Sequence, residues 1–120
     1  MTAYYLSDQA KEQTAKIMAW SEDRHGPRHA LNYENLILAA FEDIASEPRR
    51  PGAEPVPRTA GVWVYELRFS RNRLPRSQRI RDPWHKIVYR PLLDGSVEIL
   101  AVVGLSYPSG RAAREAMRAG

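Results

Sequence analysis

The sequence contains no cysteine. Without thiols the chain can form no disulfide bond and has no thiolate to serve as a nucleophile or a metal ligand. Such an absence is typical of proteins from a reducing compartment. We therefore expect a cytoplasmic protein.

Long apolar runs are also missing. No stretch approaches the roughly 20 apolar residues that a membrane-spanning helix needs. Residues 1–6 lack the basic region and long apolar region of a secretory signal. A chain of 120 residues has the length of one domain, and we expect a single domain over residues 1–120.

Patterns that bind metals or cofactors are scarce as well. His25 and His29 have the spacing of two ligands on one helical face, but Gly26-Pro27 interrupts a helix between them. No glycine-rich phosphate-binding loop is present, and Ser106 has no histidine nearby in sequence to activate it. We predict no metal and no cofactor.

Positive charge is concentrated in the second part of the chain. Residues 1–48 carry four basic and eight acidic side chains (−4) and residues 49–120 carry fourteen and six (+8), which sum to the net charge of +4. Arginine outnumbers lysine by fifteen to three, and its planar guanidinium binds phosphate or carboxylate through two hydrogen bonds. A GC-rich genome would also favour arginine codons, but it would not concentrate the charge in residues 68–90.

Hydrophobic periodicity predicts a helical hairpin in the first half. A short strand over residues 4–6 precedes Ser7, a suitable N-cap for a helix over residues 8–24. Gly26-Pro27 ends that helix and opens a second one over residues 28–46. So short a connection makes the two helices antiparallel. Residues 48–57 contain four prolines, and we expect no regular element there.

Alternating patterns predict three strands in the second half. Residues 62–69 alternate as a strand does. One side of it should face the helices and carries Trp63, Tyr65, Leu67 and Phe69. Glu66 and Arg68 then lie on the opposite, wetter face. By the same alternation, a strand up to residue 90 places Lys86 and Arg90 on that wetter face. After the Asp94-Gly95 turn, residues 97–103 are apolar on both sides, as in a central strand.

The order of elements predicts the fold class. Residues 108–118 favour a short basic helix, with Arg111, Arg114 and Arg118 at 3–4 spacing. The β-α-α-β-β-β order then indicates an α+β fold. In it, an N-terminal strand and a helical hairpin pack on a mostly antiparallel sheet, followed by a short C-terminal helix.

Several segments together resemble the RelE/ParE superfamily of toxins from bacterial type II toxin–antitoxin systems. In the first half these are Tyr5-Leu6-Ser7 before a helix and Gly26 before the next one. In the second half they are residues 85–90, the Asp94-Gly95 turn and Val97-Glu98-Ile99. The resemblance spans residues 3–111 and implies a toxin that a cognate antitoxin neutralises. It implies either a poison of DNA gyrase, as in ParE-like members, or cleavage of mRNA in the ribosome, as in RelE-like members.

One departure from the family pattern bears on the target. Where many members read Val-Leu-His after the last strand, this chain reads Val102-Val103-Gly104. For a ribonuclease the resemblance assigns the basic positions to Arg68, Lys86 and Arg90, and leaves Glu66, His85 or Tyr107 for proton transfer. His85 alternates onto the apolar side of its strand. The missing histidine favours the ParE-like function, which needs no catalysis.

A gyrase poison needs a surface that docks on a partner. The basic loop over residues 71–79 is a candidate, and the alternative is a solvated linker. The residues expected to bind the target or the antitoxin are Arg68, Arg71, Arg73, Arg76, Arg79, Lys86 and Arg90. We expect an acidic antitoxin segment on the wetter sheet face or in the groove beside the helical hairpin, and no contact at the proline connector. An inactive toxin or a nucleic-acid-binding module stays open as an alternative.

Overall fold

The chain folds as a five-stranded sheet with a helical hairpin on one face and a short helix on the other. The structure is a computed structural model that describes residues 3–119, so residues 1–2 and 120 of the expected domain lie outside it. In chain order the elements are β1 (Tyr4–Leu6), α1 (Asp8–His25), α2 (Pro27–Ser46), β2 (Glu54–Pro55), β3 (Trp63–Glu66), β4 (His85–Pro91), β5 (Val97–Gly104) and α3 (Ser109–Ala119). Two 3₁₀ helices, Leu67–Arg73 and Arg76–Gln78, connect β3 to β4. The predicted α+β fold is confirmed.

The helical hairpin forms where the capping residues predict it. The Ser7 side chain accepts a hydrogen bond from the Ala10 N–H at 3.0 Å and so satisfies one of the free donors of α1. Gly26 separates α1 from α2 with φ at 89°, a left-handed conformation that glycine adopts without steric cost. Within the described residues, no helix combines the length and hydropathy that crossing a bilayer requires.

The strands have the spatial order β1-β5-β4-β3-β2, with β1 parallel to β5 and the remaining pairs antiparallel. A bulge interrupts the β4–β5 ladder, because Val88 pairs with Ala101 and Tyr89 pairs with Ile99. Leu100 is the extra residue, and it packs in the same cluster as Ala101. β5 is therefore buried on both faces, as its apolar composition predicts.

The second face of the sheet is covered rather than exposed to solvent. Ala112, Ala113 and Ala116 of α3 pack in one cluster with Val88, Leu100 and Ala101. Small side chains let the helix approach the sheet closely. The expectation of a wet face carrying Lys86 and Arg90 is thus wrong: Lys86 is only 8% exposed, and Arg90 is half-buried.

The predicted strand over residues 62–69 ends early. β3 stops at Glu66, and Leu67 begins a 3₁₀ helix, so Arg68 does not lie on the sheet. Phe69 is exposed and packs beside Gly52, where an added Cβ would lie 2.8 Å from its ring. A short edge strand, β2, also forms within the proline connector, contrary to expectation. Pro55 fits there because an edge position does not require its missing N–H.

The buried carboxylate of Asp43 explains why the chain leaves the sheet after Glu66. Asp43 on α2 accepts a hydrogen bond from the Ser70 hydroxyl at 2.6 Å and another from the Arg73 guanidinium. Since Ser70 donates to Asp43, the Tyr65 hydroxyl must donate to Ser70, at 2.9 Å. Arg50 of the connector also donates to the Asp43 carbonyl at 3.1 Å. These contacts tie the 3₁₀ helix and the connector to α2.

Replacing Asp43 by alanine should lower the free energy of unfolding by about 3 kcal/mol, because Ser70 and Arg73 lose a buried hydrogen-bond partner and Arg50 loses a carboxylate 3.7 Å away. Glu42→Ala is the matched control: it removes an exposed partner of the same Arg73 and should cost less than about 1 kcal/mol. Urea denaturation measures both. Equal losses in the two variants would show that Asp43 is not the anchor of this segment.

Candidate functional site

Three of the residues predicted to act on RNA or on a partner meet in one pocket. Glu66, Arg68 and Lys86 line a pocket of about 200 Å³, which we call the Lys86 pocket. Glu66 and Lys86 lie opposite each other in the β3–β4 ladder, and Arg68 follows in the 3₁₀ helix. The ladder register thus pairs Glu66 with Lys86 at one end of the sheet, Arg68 joins them from the 3₁₀ helix, and Glu54 of β2 adds a second carboxylate to the pocket.

Lys86 is held tightly within this pocket. Its Nζ donates a hydrogen bond to the Leu105 carbonyl at 3.1 Å. Burial lowers the pKa of the Lys86 ammonium because it disfavours the charged form, and the negative charge of Glu66 opposes this shift. A lowered pKa makes this ammonium a better proton donor than a lysine in water.

Glu66 and Arg68 are paired with each other. Arg68 Nε lies 2.7 Å from Glu66 Oε1, and the Arg68 guanidinium lies 4.6 Å from the centre of the Phe69 ring. The carboxylate thus accepts a hydrogen bond from a charged donor. Arg68 itself is exposed and can reach a partner or an anion.

Arg90 and Tyr107 lie apart from the Lys86 pocket. Arg90 Nε pairs with Glu98 Oε1 at 2.7 Å across β4 and β5, in a separate pocket that the first residues of α1 also line. The Tyr107 hydroxyl donates to Glu115 of α3. The structure therefore does not combine these two side chains with Lys86 in one site.

His85 lies on the hairpin face of the sheet, as its alternation predicts. The Tyr33 hydroxyl is 2.6 Å from His85 Nδ1 and accepts the Trp84 backbone N–H at 3.0 Å. Burial raises the pKa of Tyr33 to about 12 and lowers the pKa of His85 to about 4. Tyr33 is therefore the donor, and the hydrogen-bond network assigns the His85 proton to Nε2.

The position of the missing family histidine is occupied by an indole. A Cβ added at Gly104 would lie 2.8 Å from the Trp84 ring. The ring thus packs directly against the Gly104 backbone at the end of β5. A histidine at this position would require Trp84 to move.

Most arginines of the predicted basic loop hold the loop itself together. Arg71 donates to the Arg81 carbonyl at 2.7 Å, Arg79 donates to the Leu74 carbonyl at 2.9 Å, and Arg73 binds Asp43. Arg76 is exposed, and its side chain makes no hydrogen bond with the rest of residues 3–119. The loop is an ordered segment with two 3₁₀ helices, and Arg76 is its most available cation.

An aromatic surface escaped the sequence prediction. Trp20 and Trp84, 44% and 54% exposed, line a pocket of about 280 Å³ together with His85, Lys16 and Ile17. Trp20 lies on α1, and Trp84 directly precedes β4. Both rings present a large apolar area, which we call the Trp20–Trp84 surface. No local pattern predicted this surface, because it pairs a residue of α1 with the residue before β4, 64 positions later in the sequence.

The two histidines with ligand spacing, His25 and His29, lie side by side in the structure. The rings of His25 and His29 lie 4.5 Å apart between centroids, yet no group of three or more metal-binding side chains exists in the part of the chain that the structure describes. The pKa of the His29 imidazole is lowered, first by its partial burial and second by the charge of the neighbouring His25.

Comparisons with known proteins point to one family. A family model described as the ParE toxin of type II toxin–antitoxin systems, parDE, matches residues 4–104, from β1 to the last residue of β5. The RelBE2 toxin–antitoxin complex from Mycobacterium tuberculosis contains a chain of similar fold, with a TM-score of 0.53 and 20% sequence identity. The match covers 86% of this chain and 96% of that chain. No curated protein matches the sequence.

The low pKa of His85 predicts a loss of stability in acid. Its pKa is about 4 in the folded protein and about 6.5 when unfolded, so the unfolded state binds the additional proton between these values. Stability from this group is complete above pH 6.5 and should fall by about 3 kcal/mol on reaching pH 4. Urea unfolding at several pH values should show a weaker loss of stability in acid for His85→Gln than for the wild type. An unchanged pH dependence in His85→Gln would contradict this assignment.

Proposed function

This chain belongs to the family of ParE toxins of type II toxin–antitoxin systems, and from that premise we propose that it arrests growth by poisoning DNA gyrase. A cognate antitoxin neutralises it. The observation that carries the choice of target is the dispersal of the acid–base candidates. Glu66 is paired with Arg68, His85 with Tyr33, and Tyr107 with Glu115.

Cleavage of RNA at its 2′-hydroxyl needs a group that accepts a proton, a group that donates one, and positive charge beside the phosphate. These groups must lie around one reacting phosphate. Here Glu66 lies in the Lys86 pocket, His85 lies on the opposite face of the sheet, and Tyr107 contacts α3. A gyrase poison needs only a surface that docks on the enzyme, and this arrangement supports it.

The exposed cations and tryptophans are the proposed docking groups. Arg68 and Arg76 project from the 3₁₀ segment, and arginine and tryptophan are enriched among residues that dominate binding energies. We assign these two arginines to the gyrase contact. The Trp20–Trp84 surface lies beside the helical hairpin, where we expect the antitoxin segment. Its apolar pocket suits a large apolar side chain, and Lys16 at the pocket suits an acidic neighbour.

A ribosome-dependent ribonuclease is the second candidate, and the Lys86 pocket favours it. Lys86 and Arg68 place two cations beside the carboxylate of Glu66 in one pocket. In that function the cations would stabilise the charge of the phosphorane, and Glu66 would accept the proton of the 2′-hydroxyl. Leu105, which binds Lys86 Nζ through its carbonyl, would position the ammonium.

The experiment is a gyrase supercoiling and DNA-cleavage assay with purified full-length toxin. We expect loss of supercoiling together with trapped, cleaved DNA, and relief of both by the antitoxin, because the toxin stabilises the cleaved state. A parallel assay measures cleavage of ribosome-bound mRNA for the wild type, Lys86→Ala and the matched surface control Lys11→Ala. No trapping by folded toxin would remove the gyrase proposal. Cleavage of mRNA that only Lys86→Ala abolishes would establish the second candidate instead.

A further inference from the structure

The turn between β2 and β3 is a short, firmly anchored hairpin tip formed by residues 57–61. Val56 and Val62 flank it, and both are buried in the cluster beneath α3. The Val56 N–H donates to the Val62 carbonyl at 2.8 Å and closes the tip. Because both ends of the tip are fixed, its backbone should lose little conformational entropy when the tip binds a partner.

The hairpin tip lines an open pocket of about 520 Å³ that contains two arginines and no acidic residue. Arg49 reaches it from the connector, with its guanidinium 5.6 Å from the centre of the Trp63 ring. Arg58 belongs to the tip itself. Within residues 3–119 neither arginine forms an ion pair, whereas Arg50, Arg68, Arg73, Arg90 and Arg111 each pair with a carboxylate.

Arg58 adopts a backbone conformation that arginine rarely takes. Its φ is 63°, and it is the one non-glycine residue with positive φ among those described. The Thr59 N–H donates to the Val56 carbonyl at 3.3 Å, so Arg58 is the third residue of a tight turn, a position that suits glycine. A strained residue is a reason to look for a function of its side chain.

We propose that the hairpin tip binds phosphodiester groups of nucleic acid through Arg49 and Arg58. A guanidinium donates in its own plane and matches two phosphate oxygens. Stacking on Trp63 orients the Arg49 guanidinium and leaves donors at its edge. An acidic peptide that adds a strand here is disfavoured, because β2 has two residues and Pro55 lacks an N–H. This proposal does not depend on the target proposed above.

The test is fluorescence anisotropy of the full-length toxin with labelled duplex DNA and with single-stranded RNA of equal length, over a range of salt concentrations. Arg49→Ala/Arg58→Ala is compared with Arg114→Ala/Arg118→Ala, which removes the same charge from exposed positions on α3. Each phosphate contact adds about 0.9 to the slope of log affinity against log salt on duplex DNA. We expect that slope to become shallower by about 2 in the hairpin variant and to stay unchanged in the control. The nucleic acid that the toxin binds with the higher affinity identifies the source of the phosphates.

Arg58→Gly separates binding from folding. Glycine relieves the positive φ, so the variant should raise Tm while it weakens binding. Equal losses in the hairpin and α3 variants would show that net charge alone drives binding and would overturn the proposal, as would a wild type that binds neither nucleic acid. Unchanged affinity in Arg58→Gly would remove Arg58 from the site. Gyrase poisoning is measured separately, so the two proposals can fail independently.

Discussion

Burial of both faces of the β4–β5 pair is the constraint on which the remaining structure depends. The helical hairpin covers one face through residues such as Phe41 and Ile44, and α3 covers the other through three alanines. A sheet enclosed in this way has no broad polar face to offer a partner. Polar chemistry is therefore confined to the ends of the strands, to the 3₁₀ segment and to the hairpin tip.

This confinement explains why the basic residues divide into separate groups. Lys86 lies under α3 and binds a backbone carbonyl, while Arg90 neutralises Glu98 beside α1. Arg73 helps to anchor the loop on Asp43, and Arg68 and Arg76 project outward. Arginines of one charged segment thus serve in folding, in the candidate pocket or at the surface. A net charge of +4 gives no indication of this division.

Local signals in the sequence predicted the elements whose causes are local. Ser7 as an N-cap, Gly26 between the helices and the Asp94-Gly95 turn all act within a few residues, and the structure has each of them in place. The end of β3 was missed because Asp43, far away on α2, draws Ser70 and Arg73 out of the strand direction. The burial of Lys86 was missed because strand alternation assigns a side chain to a face but does not say what covers that face.

The candidate site was also predictable only where its geometry depends on local sequence patterns. Glu66 and Lys86 share a face through strand register, so pattern alone could pair them, but the separation of His85 and Tyr107 depends on three-dimensional packing. The Trp20–Trp84 surface joins two segments more than 60 residues apart, and no local pattern links them. The positive φ at Arg58 lies in a turn between two buried valines, and Pro57 at the second position of that turn only partly predicts it.

The most direct measurement is growth arrest on induction of a triple variant, Glu66→Gln/His85→Gln/Tyr107→Phe. It removes the three side chains that the family resemblance leaves for proton transfer, while it keeps Lys86 and Arg68 and the volume and polarity of Glu66 and His85. A toxin that poisons gyrase through its surface should arrest growth as the wild type does. Loss of arrest in a variant that still folds and binds its antitoxin would show that these groups act in catalysis, and would contradict a non-catalytic mode of action.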